Sequence, residues 1–259
     1  MAKENPALAE KYRNKSIAEQ NSVDLAWDIL MQPKFADLQR CIFDTRAEYE
    51  RFRQLLVNTV LATDIFDPEL KALRNMRWDT AFHEGPLLVE FSQNEESTES
   101  NSEGLSNSLH GAGYGSAEVT SPKMNKEIST NRKATIVIEH IIQASDVAHT
   151  MQHWHVYLRW NEKLFQEMYL AYKMGRAPMD PAVGWYKGEL WFFDNYVIPL
   201  AKKLDECGVF GVASDECLFN AMDNRREWAD KGESVVKEMM SRCLQLDVKL
   251  DSVAEEEGE

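Results

Sequence analysis

Between residues 154 and 172, Trp154, Tyr157, Leu158, Asn161, Leu164, Phe165, Met168, Tyr169 and Tyr172 recur almost entirely at spacings of one helical turn. Such a series falls on one stripe of a helix, whereas a half-buried strand would need strict alternation. Gly175, Pro178 and Pro181 break the stripe. A second helix is predicted from about Val183, with Tyr186, Leu190, Phe193, Val197, Leu200 and Leu204 at spacings of three and four, interrupted only by Pro199. Upstream, Ile17, Val23, Leu25, Ala26, Ile29 and Leu30 predict one helix, and Phe52, Leu55, Leu56, Thr59, Val60 and Phe66 another. The latter starts behind Asp44-Thr45-Arg46-Ala47-Glu48, where Asp or Thr caps the free amides with a Glu following, and its end is marked by Pro68. Val209-Phe210-Gly211-Val212 is too short to establish a sheet, so the expected class is all-α.

Ser, Asn, Glu and Gly dominate residues 92–132, as in Ser92-Gln93-Asn94-Glu95-Glu96-Ser97, and leave few apolar side chains to anchor a packed element. The sequence is therefore expected to form two helical blocks, 1–91 and 133–250, around a disordered insertion at 92–132, with an acidic tail at 251–259. With 44% hydrophobic residues in 259, a proper core can be buried. The formal charge of −14 argues against a nucleic-acid partner, which would need a dense Lys/Arg face. Cys41, Cys207, Cys217 and Cys243 form no CxxC pair, as expected of reduced structural thiols in a cytoplasmic protein. The chain has no 18-residue apolar run and opens on polar sequence, so neither a membrane segment nor a signal peptide is expected.

Asp146, His149, His153 and His155 are the densest group of potential metal ligands. On a helix, His149 and His153 would share a face, as zinc sites require, but no HExxH pattern accompanies them, and ordinary exposed histidines are the competing reading. Asp146 ends the apolar run that begins at Ile136, where an ionised carboxylate is costly unless paired or metal-bound. Alternatively it caps the following helix through free backbone amides.

Six ordered segments carry a family resemblance. Asn14-Lys15-Ser16-Ile17-Ala18-Glu19-Gln20-Asn21-Ser22 resembles a stretch ending in Glu-Asn-His-His, Val60-Leu61-Ala62-Thr63-Asp64 a Leu-Ala-Thr-Asp motif, and His140 to Val147 a His-Cys-Ala-Asp-Leu segment. Tyr157 to Glu162 is similar to a Tyr-x-x-Trp helix. Lys187-Gly188-Glu189-Leu190-Trp191-Phe192-Phe193-Asp194 and its continuation to Leu200 resemble a Lys-Ser-Gln-x-x-Phe-x-Asp-x-x-Val-x-Pro-Leu helix, and Asp223 to Trp228 an Asp-Asn-Arg-x-x-Trp ending. These are motifs of the class I 3′,5′-cyclic nucleotide phosphodiesterase catalytic domain, matched over about 11–230.

The resemblance implies a compact helical (HD-type) catalytic-domain fold, incomplete at its N-terminus, that serves signal transduction as part of a larger polypeptide. It implies metal-dependent hydrolysis of cyclic AMP, cyclic GMP or both, with two divalent ions, Zn2+ with Mg2+ or Mn2+, sharing a hydroxide nucleophile. By position Asp146 would ligate metal, Thr63 and Asp64 would hold metal-bound waters, and Glu19 would orient them. Phe192 would stack on the purine, and Glu189 stands at the purine-reading glutamine, with a solvated helix residue as the competing reading. His149 lies at the pocket where an Asn is usual, and Gln20-Asn21-Ser22 replaces Asn-His-His. The family's His-Asn-x-x-His and His-Asp-x-x-His motifs, which supply the other tight-site ligands and the general-acid histidine, are absent from this chain. A lone carboxylate does not hold zinc, so the chain alone is expected to retain no ions and to be catalytically incompetent. The rival expectation is a degenerate, non-catalytic fold that binds nucleotide or acts as a scaffold.

Overall fold

The Thr45 hydroxyl accepts from the Glu48 amide at 3.2 Å while the Glu48 carboxylate accepts from the Thr45 amide at 2.9 Å, so Thr, not Asp44, caps that helix. In the computed structural model, which describes residues 5–83 and 122–256, local chemistry of this kind sets most of the boundaries. The chain divides into two compact units, Met1–Gln143 and Ala144–Glu259. Among the described residues every regular element is helical, as the periodicity predicted.

The first unit contains α1 (Pro6–Lys11), α2 (Ile17–Leu30), α3 (Ala36–Ile42), α4 (Arg46–Ala62), α5 (Pro68–Phe82) and most of α6 (Pro122–Asp146). Pro68 does not end α4; it opens α5 at the first helical position, where a missing N–H costs nothing, and Asp67 caps that helix. Phe66, predicted on the α4 stripe, lies in the connecting loop and is 83% exposed. Val23 of α2 packs with Val57, Val60 and Leu61 of α4. Trp78 of α5 is fully buried, stacked on Phe82 at 4.2 Å and beside the His140 ring of α6 at 4.6 Å. The expected insertion lies outside the described residues up to 121, and its last part, 122–132, belongs to α6.

The second unit holds a 3-10 turn (Ala148–Met151), α7 (Trp154–Lys173), a 3-10 turn (Pro181–Val183), α8 (Trp185–Phe192), α9 (Ile198–Cys207) and α10 (Ser214–Glu256). The predicted stripe of α7 is wider than its buried face: Tyr157, Asn161, Phe165 and Tyr169 are buried, while Leu164 and Met168 are 43% and 40% exposed. The helix predicted from Val183 is two helices, α8 and α9, joined by a π turn at Phe193–Val197. Pro199 explains the break. It has no N–H to give the Asn195 carbonyl, and the Ile198 amide instead reaches back five residues to the Phe193 carbonyl. Gly208, at φ +62, closes α9 in the left-handed conformation that glycine adopts without a Cβ penalty. Beyond it, α10 continues through Glu256, into the segment expected to be an acidic tail.

Trp228 of α10 is fully buried and its indole N–H donates to the Tyr186 carbonyl of α8 at 3.1 Å, while the Tyr186 hydroxyl donates to the Ala229 carbonyl. Gly232 permits this approach: a Cβ there would lie 2.8 Å from Tyr186 Cδ2 and 2.9 Å from Trp228 Cε2. Alanine would gain up to about 1 kcal/mol of helix propensity, but the fully buried Trp228 ring cannot give way and a shift of the half-buried Tyr186 ring strains its bond to Ala229. Gly232→Ala is expected to destabilise the protein by about 1–2 kcal/mol net, read as a lower urea midpoint at unchanged slope. A raised midpoint would show that α8 shifts freely along α10.

Candidate functional site

Helix α4 ends at the Val60-Leu61-Ala62-Thr63-Asp64 motif, and nearly every polar group there is committed to the turn. The Thr63 hydroxyl donates to the Val60 carbonyl at 2.8 Å. Gln143 donates to the Ala62 carbonyl at 2.9 Å and Arg74 to the Asp64 carbonyl at 3.1 Å, giving side-chain donors to carbonyls at and beyond the helix end. The Asp64 carboxylate accepts from the Ser16 hydroxyl at 2.7 Å and from the amides of Phe66 and Asp67 at 3.1 and 3.2 Å. Ser16 itself sits at φ 39, one residue before α2, whose first turn carries half-buried Glu19. Nearby, Arg77 pairs with buried Glu139 at 2.9 Å; burial raises the Glu139 pKa and the Arg77 guanidinium opposes that rise.

Asp146 is the final residue of α6 and is exposed, so the desolvation cost expected from its apolar run does not arise. Nor is it an N-cap. Val147 occupies the position before the next 3-10 turn, and no side chain bonds there. His149 lies in that turn and His153 immediately before α7, so the two do not share a helical face. Burial depresses the half-buried His149 imidazole below its usual range, with Asp146 pulling the other way. His153 and His155 are exposed, their rings parallel at 6.1 Å. Among the described residues no three His, Cys, Asp or Glu side chains group as a metal site. A tight divalent site needs three or four such donors, so the donor set found here does not fit one.

Helix α8 carries the more developed constellation. Tyr157 of α7 donates to Glu189 Oε2 at 2.7 Å. Behind it Asn161 Nδ2 lies 3.4 Å from the Tyr157 oxygen, and the Trp185 indole N–H donates to Asn161 Oδ1 at 3.0 Å. Burial pushes the Glu189 carboxyl up to about 7, although the Tyr157 hydroxyl favours the charged form. Burial, reinforced by the neighbouring Glu189 charge, holds the Tyr157 phenol well above its usual range. Glu189 is thus a half-buried acid that accepts a hydrogen bond from Tyr157. Three residues on, Phe192 lies on the same side of the helix, its ring stacked on Tyr196 at 5.3 Å. Sequence reasoning did not assign Asn161 or Trp185 to this group. The signal was present, because Asn161 is the one amide on an otherwise apolar stripe.

The Asp223 to Trp228 segment locks this unit together. Asn224, 1% exposed, donates to the Thr150 and Gln152 carbonyls at 2.9 and 2.6 Å, and Arg225 grips the Asp194 carboxylate with two bonds of 2.9 Å.

Compared with protein families, residues 1–208 match the model of the 3′5′-cyclic nucleotide phosphodiesterases. The chain belongs to that family. Solved structures agree on the fold. The phosphodiesterase domain of the RhoPDE fusion protein from the choanoflagellate Salpingoeca rosetta superposes with a TM-score of 0.53 at 18% identity, covering 91% of this chain. A second structure, of the Salpingoeca rosetta rhodopsin phosphodiesterase domain, gives 0.54, also at 18% identity and 91% coverage. The chain spans 61% and 60% of the lengths of those two structures. A search of curated protein sequences found no match. The phosphodiesterase match ends at residue 208, so the Asp223 to Trp228 segment lies outside it. No helix among the described residues is long and apolar enough to cross a membrane.

Proposed function

We propose that this chain carries the purine-binding side of a metal-dependent 3′,5′-cyclic nucleotide phosphodiesterase in a signalling polypeptide, with Glu189 and Phe192 contacting the base and His149 bordering it. The observation that carries the reading is the half-buried Glu189 carboxyl, anchored by Tyr157 and one helical turn from the Phe192 ring. A flat aromatic face supplies area to a base, and a fixed polar group beside it supplies orientation.

The family is generally metal-dependent; by motif position alone Asp146 is assigned as one carboxylate that would donate to such an ion, and Glu19, Thr63 and Asp64 of the first unit as residues that would hydrogen-bond metal-bound water. Such ions would polarise the phosphate and lower the pKa of a bound water. With the donors described for this chain the ions are not held, so its own residues are assigned to binding and not to turnover. That same shortage of donors favours a second reading, a nucleotide-binding or scaffolding protein without catalysis.

Purified chain supplied with Zn2+ and Mg2+ is expected to hydrolyse neither cyclic AMP nor cyclic GMP above the metal-only blank. Yet it is expected to bind cyclic nucleotide, and Phe192→Ala is expected to weaken that binding about tenfold through lost stacking. Turnover that disappears in Asp146→Ala would overturn the incompetence. Binding unaffected by Phe192→Ala would remove the base from α8.

A further inference from the structure

A cavity of about 670 Å³ opens in the first unit, where α4, α5 and α6 each present one face to it. Arg51 and Asn58 of α4, Arg77 and Thr80 of α5, and Arg132 and Thr135 of α6 line it, at spacings of three or seven that keep each pair on one side of its helix. None of its described lining residues is Asp or Glu, although the chain carries 43 of these against 29 Lys and Arg. Three guanidiniums therefore share one cavity in a strongly acidic protein.

The donors on this wall are largely uncommitted. Arg77 spends only Nη1, which meets the two Glu139 oxygens at 2.9 and 3.0 Å, and its Nε and Nη2 make no further bond among the described residues. Arg51 is exposed and pairs with no described acid. Asn58 Oδ1 is sealed from solvent without a hydrogen-bond partner, which leaves the amide nitrogen as the end of that side chain toward the cavity. Guanidiniums and an amide nitrogen offer protons and no lone pairs, and like charges around one space repel unless an anion lies between them.

A phosphate monoester answers both conditions, because its terminal oxygens only accept and a guanidinium fork matches two of them at once. The volume is that of a site for an organic ligand, much larger than a bare anion fills. Leu55, Leu73 and Ile138 supply an apolar wall for the rest of such a molecule. We propose that this cavity binds a phosphate monoester with an aromatic or otherwise apolar body, its phosphate on Arg51, Arg77 and Arg132 and its body against Leu55, Leu73 and Ile138. The site belongs to the first unit alone and is independent of the reading of α8.

The test is calorimetric titration of the full chain with phenyl phosphate, 5′-AMP, inorganic phosphate, succinate and adenosine. At least one of the two esters is expected to bind about tenfold more tightly than inorganic phosphate, through the added apolar contact, and to weaken as salt is raised. Arg51→Ala removes an exposed side chain on which no described ion pair depends, and is expected to weaken ester binding about tenfold; Arg132→Ala is expected to act in the same direction. Phe192→Ala is expected to leave phenyl phosphate binding unchanged. Equal affinity for the two esters would support any aromatic phosphate as ligand, and a preference for 5′-AMP over both phenyl phosphate and adenosine would support a nucleotide. Binding of neither ester, inorganic phosphate or succinate binding as tightly as the esters, or ester affinity untouched by both arginine variants would overturn the proposal. Ester binding lost in Phe192→Ala and kept in the arginine variants would overturn it in favour of α8.

Discussion

Trp228→Ala is expected to cost about 3–5 kcal/mol, enough to remove much of the stability of an ordinary domain. The indole is fully buried, meets the Tyr157 ring edge-on at 5.8 Å and the Trp154 ring at 6.4 Å, and donates to the Tyr186 carbonyl. Truncation therefore opens a large cavity and removes the hydrogen bond that ties α10 to the Tyr186 carbonyl of α8. The consequence reaches Glu189, because Tyr157 packs on Trp228 with one edge and donates to Glu189 with its hydroxyl. Trp228→Phe fills most of the space without the N–H and is expected to cost about 1–3 kcal/mol, the value of an unpaired buried polar group. Urea unfolding followed by circular dichroism checks both. A loss below about 1 kcal/mol for the alanine variant would show that α10 repacks around the gap.

Glu189→Gln is expected to flatten the pH dependence of stability and to raise stability in alkaline buffer by about 2–3 kcal/mol. Burial lifts the folded-state pKa of Glu189 to about 7 from a usual value of 4.5. The folded protein therefore binds this proton more tightly than the unfolded chain does. The corresponding stability is complete below the unfolded value, declines as pH rises from about 4.5 through 7, and is gone above that window. Glutamine never ionises, keeps a carbonyl for the Tyr157 hydroxyl, and so escapes the cost of a buried charge. Glu139, raised in the same direction by burial, and His149, depressed by burial, titrate in both proteins, so subtraction isolates Glu189. Chemical denaturation of wild type and variant at steps between pH 5 and 8.5 measures the difference. Parallel curves would mean that Glu189 is hydrated and titrates as a surface acid.

Much of the local structure was legible in residue order. The capping box at Thr45 and Glu48 and the stripe of α7 follow from interactions within a few residues, and the matching elements were found. Proline was harder to read. Pro68 breaks a helix on one side and starts one on the other, and the π turn before Pro199 depends on how freed carbonyls find other donors. Sequence spacing also overstated the metal cluster. His149 and His153 stand four apart, but the chain leaves α6 at Asp146 and re-enters a helix only at Trp154, so the spacing has no helical meaning there.

By itself, then, the sequence determined the helical class, the family, and the presence of a glutamate where the related motif carries glutamine. Those are properties of residue type and order, and they survive without coordinates. Only the tertiary structure decided that Asp64 is spent on the Ser16 hydroxyl and two backbone amides, that Asp146 is exposed at a helix end, and that half-buried Glu189 accepts from Tyr157. The physical reason is that burial and hydrogen-bond direction arise from groups far apart in sequence. Tyr157 and Asn161 of α7 and Trp185 and Glu189 of α8 are joined by hydrogen bonds across 24 to 32 positions of sequence, which no local pattern records.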